Sequence, residues 1–356
     1  MENIPKIRYQ EFTNQWKKQK IGSITTSYSG GTPKSSNKDY YSGEIPFIRS
    51  GEVNSNMTEL FINEEALKNS SAKLVEKGDI LYALYGATSG EVSISKINGA
   101  INQAILAIKP HEYHSPEFIV SFLKKEKDNI LDKYLQGGQG NLSATIIKGL
   151  EISLPTYSEQ SAIGSLFHTL DDLLAAYKEN LANYQAFKAS MLSKMFPKSS
   201  QTVPEIRLAG FEDEWKRIKL RDIVAIEKKG KAKANMLGSQ SVYLDTEYLN
   251  GGQQIMVDAL SDTSPSDIII LWDGSQAGMI YYGFEGALGS TLKAYTISGN
   301  GAFVYYQLKL YQKLIFEKYR TPNIPHVVKT FLNEFEIFNT SLQEQEAIGS
   351  FFSNLD

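Results

Sequence analysis

At 356 residues, 42% hydrophobic and 22% charged, the chain is long enough for two globular domains with separate cores and too apolar to be disordered. The absence of cysteine excludes disulfides and thiolate metal sites and fits a reducing cytoplasm. A net charge of −3 and a pI near 5.9 argue against coating nucleic acid by bulk charge, although local basic clusters remain at Lys17–Lys20, Lys216–Lys219 and Lys228–Lys233.

The first recognisable element is an entrance written twice. "IPKIRYQEFTNQWKKQKI" at 4–21 returns as "VPEIRLAGFEDEWKRIKL" at 203–220, with Pro5, Ile7, Arg8, Phe12, Trp16, Lys17 and Lys20 matching Pro204, Ile206, Arg207, Phe211, Trp215, Lys216 and Lys219 at a constant offset of 199. No N-terminal apolar leader precedes it, and no apolar run reaches the roughly 18 residues that span a bilayer. A soluble, non-exported protein is expected.

Further along, "GDILYALYGATSGEVSISKINGAINQAILAIKP" at 78–110 corresponds to "SDIIILWDGSQAGMIYYGFEGALGSTLKAYTIS" at 266–298, with Asp79, Gly86 and Gly90 matching Asp267, Gly274 and Gly278. Short apolar runs bounded by glycine predict a strand, a glycine-rich turn, a second strand, another turn and a third strand in each copy.

The copies converge again at "LEISLPTYSEQSAIGSLFHTLD", 150–171, and "FEIFNTSLQEQEAIGSFFSNLD", 335–356. Thr156-x-x-Glu159 and Ser341-x-x-Glu344 each read as a capping box, in which the hydroxyl accepts from the N3 amide and the glutamate reaches back to the cap amide. The first helix is predicted to run from Ser158 to Phe196, where Pro197 ends it. Ile163, Leu166, Leu170, Leu173, Tyr177, Asn180, Tyr184, Phe187 and Met191 alternate spacings of three and four, a heptad seam with one polar member. At 1.5 Å per residue this helix would span about 58 Å, the length of a spacer or a coiled-coil partner. The second begins with the same Ala-Ile-Gly-Ser and stops at Asp356, the equivalent of Asp171, so about twenty-five further residues would be expected of a complete duplication and the second spacer helix reads as truncated. "PKSSQTV", 197–203, reads as a polar linker.

Enzyme signatures are missing. There is no G-x-x-x-x-G-K-[ST] phosphate loop, no G-x-G-x-x-G after a strand, and no Asp/Asn-Pro-Pro-aromatic stretch, so neither P-loop ATP hydrolysis nor a complete amino-methyltransferase is expected in this chain. The nuclease-like Glu214-Trp215-Lys216 is Gln15-Trp16-Lys17 in the first copy and reads as structural. His111 and His114 lie in a proline-bounded loop without further ligands, His168 and Asp171-Asp172 read as solvated helix positions, and His326 sits in the exposed-looking turn "NIPHVVK". What remains is a set of polar side chains beside glycines: Thr88-Ser89, Asn102-Gln103, Ser275-Gln276 and Ser290-Thr291. Such residues serve base edges and phosphates, and equally serve ordinary turns.

Taken with "GGTPKSSNKDYYSGEIPFIRSGEV" at 30–53, "LYALYGATSGEV" at 81–92, "INQAIL" at 101–106, "LPTYSEQSAIGSLFHTLDDLL" at 154–174 and "FPKSSQTVPEIRLAGFEDEWK" at 196–216, the chain resembles, over its whole length, the specificity subunit of type I DNA restriction-modification enzymes. The resemblance implies an α+β protein: two repeated mixed α/β target-recognition domains joined by a long coiled-coil spacer helix. The expected division is a first recognition domain at 1–157, the spacer helix at 158–196, a linker at 197–203, a second recognition domain at 204–341, and the start of a second spacer helix at 342–356.

It further implies that each domain reads half of a bipartite asymmetric sequence in double-stranded DNA, with no catalysis and no cofactor in this chain. Methyltransferase subunits using S-adenosylmethionine and a motor-nuclease subunit using ATP and Mg would be the partners. DNA contacts are expected at Lys34, Arg49, Ser50, Thr88, Asn102, Gln103, Gln139 and Asn141 in the first domain. In the second they are expected at Lys228, Lys229, Lys231, Ser275, Gln276, Ser290, Thr291, His326 and Lys329. Ile163, Leu166, Leu170, Leu173, Tyr177, Tyr184, Phe187 and Met191 are expected to dock partners or a second copy of the chain. A competing reading is a non-catalytic bivalent adaptor for protein or carbohydrate.

Overall fold

Apolar runs bounded by polar turns become buried strands when both sheet faces are covered, and this happens twice here. The computed structural model describes residues 5–135, 141–198 and 201–356, and the chain divides into two units, Met1–Tyr177 and Lys178–Asp356.

In the first unit the strands are β1 (Lys17–Lys20), β2 (Thr25–Ser29), β3 (Ile45–Ile48), β4 (Phe61–Ile62), β5 (Lys73–Val75), β6 (Ile80–Ala83), β7 (Val92–Ile94), β8 (Gly99–Ile101), β9 (Ile105–Pro110) and β10 (Glu151–Leu154). They form a sheet in the order β2-β9-β6-β7, a second in the order β4-β3-β8-β5, and the pair β1-β10. Side chains alternate across the first sheet. Ile80, Tyr82, Leu106 and Ile108 face the helix Pro116–Lys125 through Phe118, Ile119 and Leu123, while Leu81, Ala83, Ile105 and Ala107 pack with Ile48, Val53 and Ile101 of the second sheet region.

The second unit repeats the plan with β11 (Lys216–Lys219), β12 (Val224–Lys229), β13 (Leu237–Leu244), β14 (Met256–Val257), β15 (Ile268–Leu271), β16 (Ile280–Tyr282), β17 (Ala287–Leu288), β18 (Leu292–Ile297) and β19 (Glu336–Asn339). Their sheets run β12-β18-β15-β16, β14-β13-β17 and β11-β19. Ile268 and Ile270 pack with Phe303 and Val304 of the helix Gly301–Leu310, and Ile269 and Leu271 pack with Leu244 and Leu288.

The stretch 78–110, predicted as three strands, contains four. Asn102 Oδ1 accepts from the Ala104 amide at 3.0 Å, an Asx turn that separates β8 from β9. Each unit also needs one glycine where strands cross: a Cβ on Gly30 would lie 1.8 Å from the carbonyl oxygen of Ile101, and one on Gly230 1.9 Å from that of Gly289.

The long helix is Tyr157–Lys194, 38 residues and about 57 Å at 1.5 Å per residue. It ends two residues before the predicted Phe196, because a residue preceding proline is driven out of the helical region. Phe196 turns inward instead, 6.0 Å from the Trp215 ring, 5.5 Å from Phe303 and 6.2 Å from Phe352.

Half of each capping box forms. The Glu159 amide reaches Thr156 Oγ1 at 3.5 Å and the Glu344 amide reaches Ser341 Oγ at 3.4 Å. The two carboxylates do not return to their cap amides. Glu159 accepts from Arg8 at 2.6 and 2.7 Å, and Glu344 accepts from Arg207 at 2.7 and 2.8 Å. A bidentate charged donor is about twice as strong a partner as a neutral amide.

The repeated entrance thereby acquires a purpose. Arg8 also donates to the Asn14 carbonyl and Arg207 to the Asp213 carbonyl, both at 2.6 Å, so each arginine ties its own approaching segment to the helix start. Trp16 Nε1 adds a bond to Glu159 at 3.2 Å; the equivalent Trp215 Nε1 is buried with no hydrogen-bond partner among the described residues. Among the described residues, no helix is long and apolar enough to cross a membrane.

Candidate nucleic-acid interface

In both units the strand directions gather polar turns at one end of the main sheet. In the first unit, Ser29 of β2 lies opposite Leu106, Ala83 of β6 lies opposite Ile105, and β3 and β8 run parallel with Ile48 beside Ile101. The exits of β2, β3, β6 and β8 therefore all lie beside the start of β9. Backbone bonds tie them together: the Leu84 amide donates to the Ala104 carbonyl at 2.8 Å, and the Leu142 amide to the Leu84 carbonyl at 2.9 Å.

This places Thr88, Asn102 and Gln103 in neighbouring turns, with Asn141 exposed just before the docked Leu142. Gln103 is held twice: its Oε1 accepts from Thr32 Oγ1 at 2.6 Å and its carbonyl accepts from the Tyr85 hydroxyl at 2.5 Å. Asn102 spends its Oδ1 on the Asx turn. Lys34 is exposed in the loop after β2. Gln139 lies outside the described residues.

Arg49 leaves β3 at the same end, followed by Ser50 at the start of a short 3-10 turn, but its charge is committed. It pairs with Glu52 at 3.0 Å and Glu59 at 2.6 Å. Burial pushes Glu52 up; the Arg49 side chain, the amides of Arg49 and Glu59 and the Thr58 hydroxyl outweigh it and hold Glu52 at about 2.

The second unit repeats this convergence. Lys229 lies opposite Lys293, Leu271 lies opposite Leu292, and β13 runs parallel to β17 with Leu244 beside Leu288. The Trp272 amide donates to the Thr291 carbonyl at 2.8 Å, and the Ser290 amide to the Ala232 carbonyl at 3.2 Å. Lys229 at the end of β12 and Lys231, Ser275, Gln276, Ser290 and Thr291 in the turns are all exposed.

Lys228 is different: its Nζ donates at 2.7 Å to Asp267, whose side chain is fully buried and also accepts from Thr296 at 2.6 Å. Burial pushes Asp267 up, yet Lys228, Thr296 and the Ser264 amide together hold it below the usual carboxylate range. In the first unit the matching Asp79 meets Lys109 at 3.2 Å. The buried acid is repeated while its lysine comes from a different strand.

His326 belongs to a small hairpin, 320–327, closed by a bridge between Arg320 and Val327. The Val327 amide donates to the Trp272 carbonyl and the Gly274 amide to the Pro325 carbonyl, both at 2.9 Å, docking the hairpin on the β15–β16 turn. This bond corresponds in place to that between Leu142 and Leu84. His326 Nδ1 lies 3.0 Å from the Ile324 carbonyl and 3.0 Å from Thr321 Oγ1, so the hairpin's own polar atoms hold the ring. Lys329 is exposed just beyond.

Sequence reasoning missed three members of this cluster. Trp272 follows β15 directly and carries the Lys293 ammonium 3.6 Å above its ring; Arg320 donates to the Ser275 carbonyl at 3.1 Å. An aromatic residue at the end of the run Ile268–Leu271 was a readable signal for Trp272. Nothing local marked Arg320. The other histidines lie elsewhere: His111 Nε2 meets Thr26 Oγ1 at 3.1 Å, His114 Nδ1 meets the Glu112 carbonyl at 2.9 Å, and His168 faces Asp172 along the long helix at 3.6 Å.

On the long helix, Ile163 packs into the first unit's core and Met191 against the second's. Between them Leu166, Leu170, Leu173, Tyr177, Tyr184 and Phe187 are exposed, the tyrosines to 66%.

The family model for the type I restriction modification DNA specificity domain matches the chain twice, at residues 13–183 and 212–356. The type I restriction enzyme MjaVIII specificity subunit of Methanocaldococcus jannaschii is 29% identical over 155 residues, covering 40% of this chain and 36% of the relative. The MjaIX specificity subunit of the same organism is 28% identical over 173 residues, covering 46% and 40%. The aligned stretches thus span well under half of these relatives. The crystal structure of the type I restriction-modification system S subunit from M. genitalium shares the fold, with a TM-score of 0.69 at 19% identity over 100% of this chain and 92% of that one. None of these matches favours the adaptor reading. Two copies of one domain account for both repeated frames, and the chain belongs to the family of the type I restriction modification DNA specificity domain.

Proposed function

We propose that this chain is the DNA sequence-recognition subunit of a type I restriction-modification complex, each unit reading one half of a bipartite asymmetric site. The observation that carries the reading is the gathering of polar turns at the same end of the main sheet in two units that share a frame and differ in those turns. Two different reading surfaces on one scaffold suit two different half-sites. Membership of the specificity-domain family supports the assignment.

In this reading the base and phosphate contacts come from Lys34, Ser50, Thr88, Asn102, Gln103, Gln139 and Asn141 in the first unit. In the second they come from Lys229, Lys231, Ser275, Gln276, Ser290, Thr291, His326 and Lys329. We assign Arg49 and Lys228 to the scaffold, because each already neutralises a protein carboxylate and a paired cation has less to offer a phosphate. The long helix fixes the distance between half-sites, as half-site spacing does in dimeric DNA readers. Its exposed seam docks methyltransferase subunits, to which a motor-nuclease subunit is added. The chain does no chemistry itself; S-adenosylmethionine, ATP and Mg act in the partners, and the complex works in the cytoplasm.

Binding to duplex DNA as a function of ionic strength tests this. Affinity should fall steeply and linearly in log–log form, with a slope of about −0.9 per neutralised phosphate. A salt-independent affinity, or none for duplex DNA in the presence of the methyltransferase subunits, would contradict the reading.

A further inference from the structure

We infer that Arg320 is a base-reading residue of the second unit and that the base it reads is a guanine; this rests on the DNA-recognition assignment and adds a residue and a base to it. Of the chain's arginines, Arg8, Arg49, Arg207, Arg217 and Arg221 each pair with a carboxylate, at 2.6, 3.0, 2.7, 3.5 and 3.6 Å. Arg320 pairs with no carboxylate among the described residues. Its guanidinium is held from two sides instead: one nitrogen donates to the Ser275 carbonyl at 3.1 Å, and the Phe316 ring lies 5.2 Å from its central carbon.

That arrangement fixes the guanidinium plane while leaving most of its five N–H donors unused. A phosphate contact needs only charge and reach, which the exposed Lys329 and Lys231 supply. A fixed, planar, half-buried fork with unspent donors matches the O6 and N7 acceptors of guanine in the major groove. The carbonyl that holds Arg320 belongs to Ser275, beside Gln276 in the β15–β16 turn, and the hairpin that carries it is docked on that turn by bonds at 2.9 Å. Ser275, Phe316, Glu317, Arg320, Thr321, Pro322 and Pro325 line one open pocket of about 300 Å³, into which a base edge can project.

The test is selection of duplex DNA from a randomised pool by the full chain assembled with its methyltransferase subunits, for wild type, R320K and R320Q. Wild type should return two half-sites, one containing an invariant guanine that both variants relax while the other half-site is unchanged. R320Q should weaken binding to the selected site by about 10-fold or more and leave affinity for non-specific duplex DNA nearly unaltered. R320K separates fork geometry from charge, and melting curves of both variants report folding. An unchanged motif in a folded R320Q complex would overturn the inference and leave the DNA-recognition reading standing. Equal weakening on specific and non-specific DNA would make Arg320 a phosphate contact and also overturn it. Failure of wild type to select any motif would remove both.

Discussion

Arg207 donates twice to Glu344, whose side chain is almost wholly buried, so removing the glutamate strands a cation beneath the surface. E344A should cost about 3 kcal/mol, seen as a fall of about 6–12 °C in the melting temperature of the second unit. A fall below about 2 °C would show that the arginine finds water or another partner. Lys228 poses a different test, because it was expected to touch DNA and the structure gives it a buried acid instead. K228M should destabilise the protein at neutral pH while leaving the salt slope of DNA binding unchanged, whereas K231A should reduce that slope by about one charge. The pH dependence follows from Asp267, which its partners hold below the usual carboxylate range in the folded state. A carboxylate depressed on folding stabilises above its unfolded pKa and loses that contribution as pH falls through the folded value. The stability gap between wild type and K228M, measured by urea melts, should therefore shrink between pH 7 and pH 3. These residue roles were only partly legible. Asp79 and Asp267 stood out as a repeated pair, but their lysines lie on non-equivalent strands, and no local pattern distinguishes a lysine beside a buried acid from one beside solvent.

The long helix was the most legible element, since a heptad seam and a terminal proline are local signals. Its start was half legible: the hydroxyl caps form, and the glutamates turn to arginines about 150 and 137 positions away in sequence, a choice that no window of sequence contains. Strand boundaries were blurred for a related reason. The Asx turn at Asn102 splits an apolar run into β8 and β9, and β8 is then placed by parallel pairing with β3, nearly a third of the unit away along the chain. Leu170 and Leu173 are 48% and 51% exposed, and Tyr177 and Tyr184 both 66%. Exposed positions of this kind change stability by less than about 0.5 kcal/mol when substituted. L173E with Tyr177→Glu should accordingly leave the melting temperature nearly unchanged and sharply reduce co-purification of methyltransferase subunits. Undiminished co-purification would place the docking surface elsewhere. Because the same seam could pair two copies of the chain, sedimentation of the wild type is informative as well: a monomer stable to dilution argues against self-association.

For the molecule as a whole, the duplication was plain from the entrance motifs and the paired helix starts, and it is matched by two units whose main sheets and terminal strand pairs have the same order, the second sheet having four strands in the first unit and three in the second. The reading surface was less plain. Polar side chains beside glycines stood out in the sequence, yet only the strand directions reveal that four separate turns meet at one end of each sheet, and Arg320 joins them through a hairpin no motif announces. Bipartite recognition is the central claim, and the genome-wide map of N6-methyladenine tests it most directly, in cells carrying this chain with its methyltransferase subunits and in cells lacking the chain. A motif of two different half-sites separated by a fixed gap, present only with the chain, is the predicted result; a palindromic motif, or a map that does not change, would contradict it.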